Sequence, residues 1–177
     1  MGNDATRRRI VVARKPKGPI TRIDATTYSL NIDASDRTTL NALLDQLRDV
    51  LMHDSSSDIA RRLFPAAYHQ DEKHEQEYQR LMRDELLSSR LASLSLTSTL
   101  LERETTGDNV VLTADELDAL MRSINSLRLV LGTLLDVGED EFEADLDEDD
   151  PGYGQYQLYS YLGWLLDWVV TVQTEFN

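Results

Sequence analysis

Apolar residues recur every three or four positions over four stretches of the chain, which is the period of an amphipathic helix. The first predicted helix, Ala34–Met52, places its leucines on one face, and Asp33 or Ser35 is suited to cap its N-terminus. The second runs over residues 71–104, and its apolar stripe shifts near Ser88. That shift predicts either a bend or a helix that is contacted on two sides.

The third predicted helix begins at a capping box, with Thr113 at the cap and Glu116 three residues later. Its apolar face continues to about residue 135 and contains Gly132, which costs about 1 kcal/mol relative to Ala inside a helix. We therefore expect a neighbouring element to approach closely at that glycine. The last predicted helix covers Tyr156–Phe176.

Strand patterns are short and lie mostly near the N-terminus. Tyr28–Ile32 alternates apolar and polar residues, and Ile10–Val12 and Val110–Leu112 are β-prone runs. A short helical turn is predicted at Ile59–Phe64, where Pro65 ends it. The predicted fold class is mainly α: a compact helical domain of about four to five helices, with a small β hairpin or ribbon near the N-terminus.

The charge of the chain is unevenly distributed. The formal net charge of the 177 residues is −14, yet residues 1–22 carry seven basic residues and one acid. Residues 129–177 carry twelve acids and no Lys or Arg. We interpret residues 1–26 as a basic, partly flexible arm and residues 27–177 as a single helical domain. Residues 136–152 are predicted to form an acidic loop within it.

Several classes of function have little support in the sequence. The absence of cysteine excludes disulfides, thiolate metal sites and thiol chemistry. No catalytic motif is found, so we expect neither an enzyme nor a cofactor. The apolar stretch Leu158–Val172 has 15 residues, fewer than the ~20 that span a membrane. Because no secretory signal is visible either, the expected location is the cytoplasm.

Metal binding is considered at two places and favoured at neither. His69 and His74 are five residues apart, which puts them on different sides of a helix, so a solvated helix start is the better interpretation. The acidic residues of 145–150 lack the spaced ligands and the central glycine of an EF-hand loop. No metal site is therefore predicted.

Two groups of residues are candidates for binding macromolecules. The cations of the arm could contact DNA phosphates, or the arm could dock on the acidic body; these cations are Arg7, Arg8, Arg9, Arg14, Lys15 and Lys17. Trp164 and Trp168 lie one turn apart on the last helix and could either fill the core or bind a partner. A homodimer through this helix is one form that such an interface could take.

Three segments carry a resemblance to a known family: residues 62–68 (RLFPAAY), residues 125–133 (NSLRLVLGT) and residues 159–168 (YSYLGWLLDW). They look like an actinobacterial family long described as a domain of unknown function and now linked to AosR, an oxidative-stress transcriptional regulator. The resemblance implies a cytoplasmic, helical, non-enzymatic protein that contacts transcription machinery or a sigma factor. It also implies gene neighbourhoods near the protease adaptor ClpS.

The chain departs from the family in lacking cysteine, so thiol sensing is not carried over. The expected function is a regulatory interaction protein that acts through protein contacts, with DNA contact by the arm left open. An accessory role in Clp-type proteolysis is the alternative. Asn125 and Arg128 lie one turn apart in the resembling segment. They either recognise a partner or form hydrogen bonds with buried backbone groups and an ion pair with an acid inside the domain.

Overall fold

The computed structural model describes residues 18–53, 62–67, 71–105, 109–135 and 149–174. Within these residues the chain forms three strands, β1 (Ile20–Arg22), β2 (Thr27–Asn31) and β3 (Asn109–Thr113). It also forms four helices, α1 (Ala34–His53), α2 (Glu72–Leu101), α3 (Ala114–Leu134) and α4 (Tyr153–Thr174). The predicted class, mainly α with a small β element near the N-terminus, is confirmed. The β-prone run Ile10–Val12 lies outside the described residues, as does the first part of the predicted turn at Ile59–Phe64.

The strands form one antiparallel sheet in the order β1-β2-β3. Leu30 of β2 is opposite Ile20 of β1 on one side and opposite Val110 of β3 on the other, and all three are buried. Because strand side chains alternate between faces, this row faces the helices, and Thr21, Ser29 and Val111 lie on the other face of the sheet. β1 belongs to residues 18–26, the described part of the segment that was predicted to form an arm.

The helices pack in sequence, with α1 on α2, α2 on α3 and α3 on α4, and α4 also contacts β1. Every third or fourth position of α1 is buried, at Leu40, Leu44, Leu47 and Leu51. Asp33 caps this helix, because its Oδ1 accepts a hydrogen bond from the Asp36 backbone N–H at 2.8 Å. These contacts assemble one core from all four helices and the inner face of the sheet.

Helix α2 is longer than the helices on which it packs. Its 30 residues extend about 45 Å, compared with about 32 Å for the 21 residues of α3. The buried residues of α2 begin at Leu94, whereas Leu81 exposes 61% of its surface. The change of apolar stripe near Ser88 therefore comes after Leu86 and Leu87, which are half-buried against the core, and before the fully buried part of α2 that begins at Leu94. Of the helices that the structure describes, none is both long enough and apolar enough to cross a bilayer.

A polar cluster fixes the junction between α2, β3 and α3. The predicted capping box is present, since Thr113 Oγ1 accepts from the Glu116 N–H and Glu116 Oε2 accepts from the Thr113 N–H. Arg103, just beyond α2, donates to Glu116 Oε1 at 2.5 Å and to the Val111 carbonyl at 2.8 Å. These bonds connect the start of α3 to the end of α2, and Arg103 also satisfies the backbone carbonyl of Val111 in β3.

Replacing the cap residue tests how much this junction contributes. Thr113→Ala removes a side-chain acceptor and should lower the free energy of unfolding by about 1 kcal/mol. Denaturant unfolding followed by circular dichroism measures it. Thr39→Ala is the matched control, because Thr39 is exposed on α1 and its side chain makes no hydrogen bond within the described residues. Equal stability of the Thr113 variant and the wild-type chain would contradict the role assigned to the cap.

Candidate functional site

The contact between α3 and α4 rests on two glycines, one on each helix. A β-carbon on Gly132 of α3 would lie 3.1 Å from Cε2 of Tyr159, and one on Gly163 of α4 would lie 3.3 Å from Nε of Arg128. Each helix thus accommodates a large side chain of the other helix at a glycine, where it has no side chain of its own. The close approach expected at Gly132 is present, and Tyr159 is the residue that makes it.

Arg128 is held against the aromatic ring of Tyr159. Its guanidinium carbon lies 4.9 Å from the ring centroid, which is within the range of a cation–π contact. The Nε atom is buried and has no hydrogen-bond partner among the described residues. No acid or backbone carbonyl that the structure describes accepts a hydrogen bond from Arg128. Its positive charge is therefore fixed in place and not neutralised by a described carboxylate.

The two tryptophans of α4 have different surroundings. Trp164 exposes 48% of its surface and contacts Tyr161, with 5.8 Å between the ring centroids and 34° between the ring planes. Trp168 is half-buried and lies over Gly18, where an added β-carbon would be only 2.7 Å from the indole ring. Trp168 therefore packs α4 onto the chain next to β1, whereas Trp164 presents a large aromatic surface to solvent.

Asn125 lies apart from the tryptophans. Its side chain is exposed and lines a groove between α2 and α3, whereas Arg128 is directed to α4. The residues predicted to bind a partner therefore do not form a single cluster. Trp164 lies on the exposed side of α4 and Arg128 lies beside Gly163 of that helix, whereas Asn125 belongs to a different surface.

The other sequence candidates lie mainly outside the described residues. This holds for the arm cations Arg7, Arg8, Arg9, Arg14, Lys15 and Lys17, for His69, and for the acidic segment up to residue 148. Contact of the arm with DNA therefore stays a prediction.

The polar start of α2 is a capped helix end. Asp71 caps it by accepting from the His74 N–H at 3.1 Å, and a hydrogen bond to the His74 ring lowers the pKa of Asp71. In the described ranges, no three His, Asp or Glu side chains converge in a way that could hold a metal ion.

Tyr161 anchors the exposed face of α4 to the first turn of α1. Its hydroxyl donates to Asp36 Oδ2 at 2.9 Å. Burial of the phenol, together with its hydrogen bond to Asp36 and the charges of Asp36 and Asp33, raises the pKa of Tyr161 above its usual value. Because Trp164 contacts Tyr161, the link to Asp36 also restrains the exposed indole.

Sequence reasoning missed this anchor and the role of Gly163. The hydrogen bond joins residues 125 positions apart, which no local pattern shows. Gly163 was detectable, because a glycine inside an apolar helix signals a close approach there as it does at Gly132.

The Tyr161 anchor should give stability a defined dependence on pH. The pKa is raised in the folded chain, so the folded state keeps its proton where the unfolded tyrosine, with a pKa of about 10, releases it. The contribution is complete below pH ~10 and is lost as the pH rises beyond it. Tyr161→Phe should cost about 1.5 kcal/mol at pH 8, the lower end of the range for a hydrogen bond to a charged group, because the pair is only partly buried.

Denaturant unfolding of both proteins at pH 8 and pH 10.5 measures this difference. The variant should lose less stability than the wild-type chain over that interval, because all other tyrosines are common to both. Parallel losses would show that Tyr161 is not protected by Asp36.

Comparison with known proteins identifies a family without a described function. A family model described as "Domain of unknown function (DUF2017)" matches residues 15–173. No curated protein and no solved structure matches the chain significantly. The matched range contains every strand and nearly all of every helix described above. The chain is therefore a member of the DUF2017 family.

Proposed function

We propose that this protein is a non-enzymatic regulator that binds another protein through the exposed side of α4, as the AosR-type regulators it resembles are expected to act. The observation that carries the proposal is the exposure of Trp164 on α4, nearly half of whose surface is accessible. Arg128 of α3, which has no described carboxylate partner, packs against the same helix beside Gly163. Tryptophan and arginine are the residue types most enriched among interface hot spots.

Both side chains are held in place before any partner binds. Trp164 packs on Tyr161, whose hydroxyl is bound to Asp36, and Arg128 packs on Tyr159 and next to Gly163. A side chain that is already ordered loses less conformational entropy on association. The arrangement therefore favours binding over a purely structural use of these two residues.

The chemistry of the surface defines the partner that fits it. Trp164 requires an apolar pocket, and Arg128 requires a carboxylate, whose bidentate geometry the guanidinium matches. Ser160 and Asp167 are exposed on the same side of α4 and supply a polar rim. A partner with an apolar pocket beside an acidic residue satisfies all of these groups.

A second copy of the chain is a poorer fit to this surface. The net charge of −14 makes self-association electrostatically unfavourable. A two-fold dimer through this side would also bury the exposed polar positions Ser160, Asp167 and Thr171. We therefore propose a different protein as the partner, and by family resemblance a component of the transcription machinery.

Direct binding measurements on purified components test the proposal. The wild-type chain should bind RNA polymerase holoenzyme immobilised on a biosensor surface. Trp164→Ala should weaken this binding about 30-fold, which corresponds to the 2 kcal/mol of a hot-spot residue. Leu81→Ala is the matched control, because Leu81 is an exposed apolar residue on another helix, and it should leave binding unchanged. Unfolding curves of both variants establish that each is folded.

Three results would contradict the proposal. Equal binding by the wild-type chain and the Trp164 variant would remove this surface from the interface. Binding to ClpS in place of polymerase would favour the proteolysis-linked alternative. A stable dimer that dissociates on Trp164→Ala would show that a second copy occupies the surface.

A further inference from the structure

A groove between α2 and α3 has the composition of an anion-binding site. Its volume is about 280 Å³, and its polar lining includes Ser89, Arg90, Arg122, Asn125 and Ser126. Among the described residues that line it there are two arginines and no Asp or Glu. In a chain with a net charge of −14, a groove whose only charged lining residues in the described chain are two arginines has a local charge opposite to that of the whole protein.

Arg90 is the fixed element of this groove. One terminal nitrogen donates to the Ser126 hydroxyl at 2.7 Å and the other to the Leu63 carbonyl at 2.5 Å. The guanidinium also lies over the ring of Phe64, with 5.3 Å between its carbon and the ring centroid. These contacts orient the guanidinium but use two of its five N–H donors. They also leave its charge without a carboxylate in the described part of the chain.

Three other polar side chains of the groove have no hydrogen-bond partner among the described residues. Arg122 is exposed and makes no side-chain hydrogen bond or ion pair with the residues that the structure describes. Asn125 and Ser89 are exposed as well, and neither side chain is bonded to another described residue. Two guanidinium groups, one amide and one hydroxyl therefore offer donors to the same space.

We propose that this groove binds a small phosphorylated compound through its phosphate group. A phosphate offers several acceptor oxygens and up to two negative charges. These match two arginines that share a groove with no acidic residue in its described lining. The volume of about 280 Å³ is slightly below the usual range for small-molecule sites, so the carrier of the phosphate must be small. This site is separate from the exposed side of α4, and its existence does not depend on the proposed partner.

Nuclear magnetic resonance titration of the full chain tests the site. The probes are inorganic phosphate and O-phosphoserine, added at low chloride to ¹⁵N-labelled protein. We expect saturable shifts of the backbone amides of Ser89, Arg90, Arg122 and Asn125. Equal affinities for the two probes would identify free phosphate as the ligand, and tighter binding of O-phosphoserine would identify a small phosphate ester. Either result supports the site.

A pair of variants separates specific binding from general attraction. Arg122→Gln should weaken phosphate binding at least tenfold without unfolding the chain, because this side chain is exposed and unbonded. Arg80→Gln removes the same charge from an exposed position on α2, about 15 Å before Arg90 along the helix axis, and should have no effect.

Three outcomes would overturn the proposal. These are the absence of saturable shifts up to about 20 mM phosphate, equal weakening by both variants, and tighter binding of succinate than of either phosphate probe. The first would mean that the groove does not bind phosphate specifically. The second would mean that phosphate responds only to the number of positive charges on the chain and not to this groove. The third would replace the phosphate by a carboxylate as the recognised group.

Discussion

The close contact of α3 with α4 is the constraint on which the rest of the structure depends. Gly132 gives room to Tyr159, Gly163 gives room to Arg128, and the two large side chains stack on each other between the helices. Any larger residue at either glycine would compete for space with an aromatic ring or a guanidinium group. The two glycines therefore set the distance between the helices, because neither carries a side chain that would hold them apart.

The position of α4 on the rest of the molecule follows from this contact. With α3 on one side, the other side of α4 meets α1 through Tyr161 and Asp36, and Trp168 covers Gly18 beside β1. These attachments leave one strip of the helix exposed, and Trp164 lies on it. The face proposed to bind a partner is thus the one that packing does not use.

Two arginines of this acidic chain, Arg90 and Arg128, have no carboxylate partner among the described residues, in contrast to Arg103. Arg103 closes the α2–α3 junction on Glu116, and Arg128 lies on Tyr159. Arg90 is bonded to a carbonyl and a hydroxyl, and burial lowers its pKa because no described carboxylate offsets the loss of hydration. In an excess of Asp and Glu, cations left unpaired on a described surface indicate binding of an external anion more strongly than they would in a neutral protein.

Local patterns predicted the elements of this fold but not their assembly. The capping box at Thr113 and the close approach at Gly132 were predicted, and Asp33 was one of two candidates for the cap of α1. Each of these features depends on residues within one helical turn or on a single glycine.

The pairing of β3 with β2 joins residues about 80 positions apart and has no local signal. The candidate site was predicted in part for the same reason. Trp164 and Arg128 were named from the sequence. The contact of Arg128 with Tyr159 and the position of Asn125 facing α2 depend on how the helices are arranged, which no local pattern shows.

The central claim is that Arg128 and Tyr159 interact across the α3–α4 contact, and a double-mutant cycle tests it most directly. The free energies of unfolding of the wild-type chain, Arg128→Met, Tyr159→Leu and the double variant give the coupling between the two side chains. A half-buried cation–π contact predicts a favourable coupling of about 1 kcal/mol. Effects that add to within about 0.3 kcal/mol would contradict the account, because the two residues would then stabilise the protein independently.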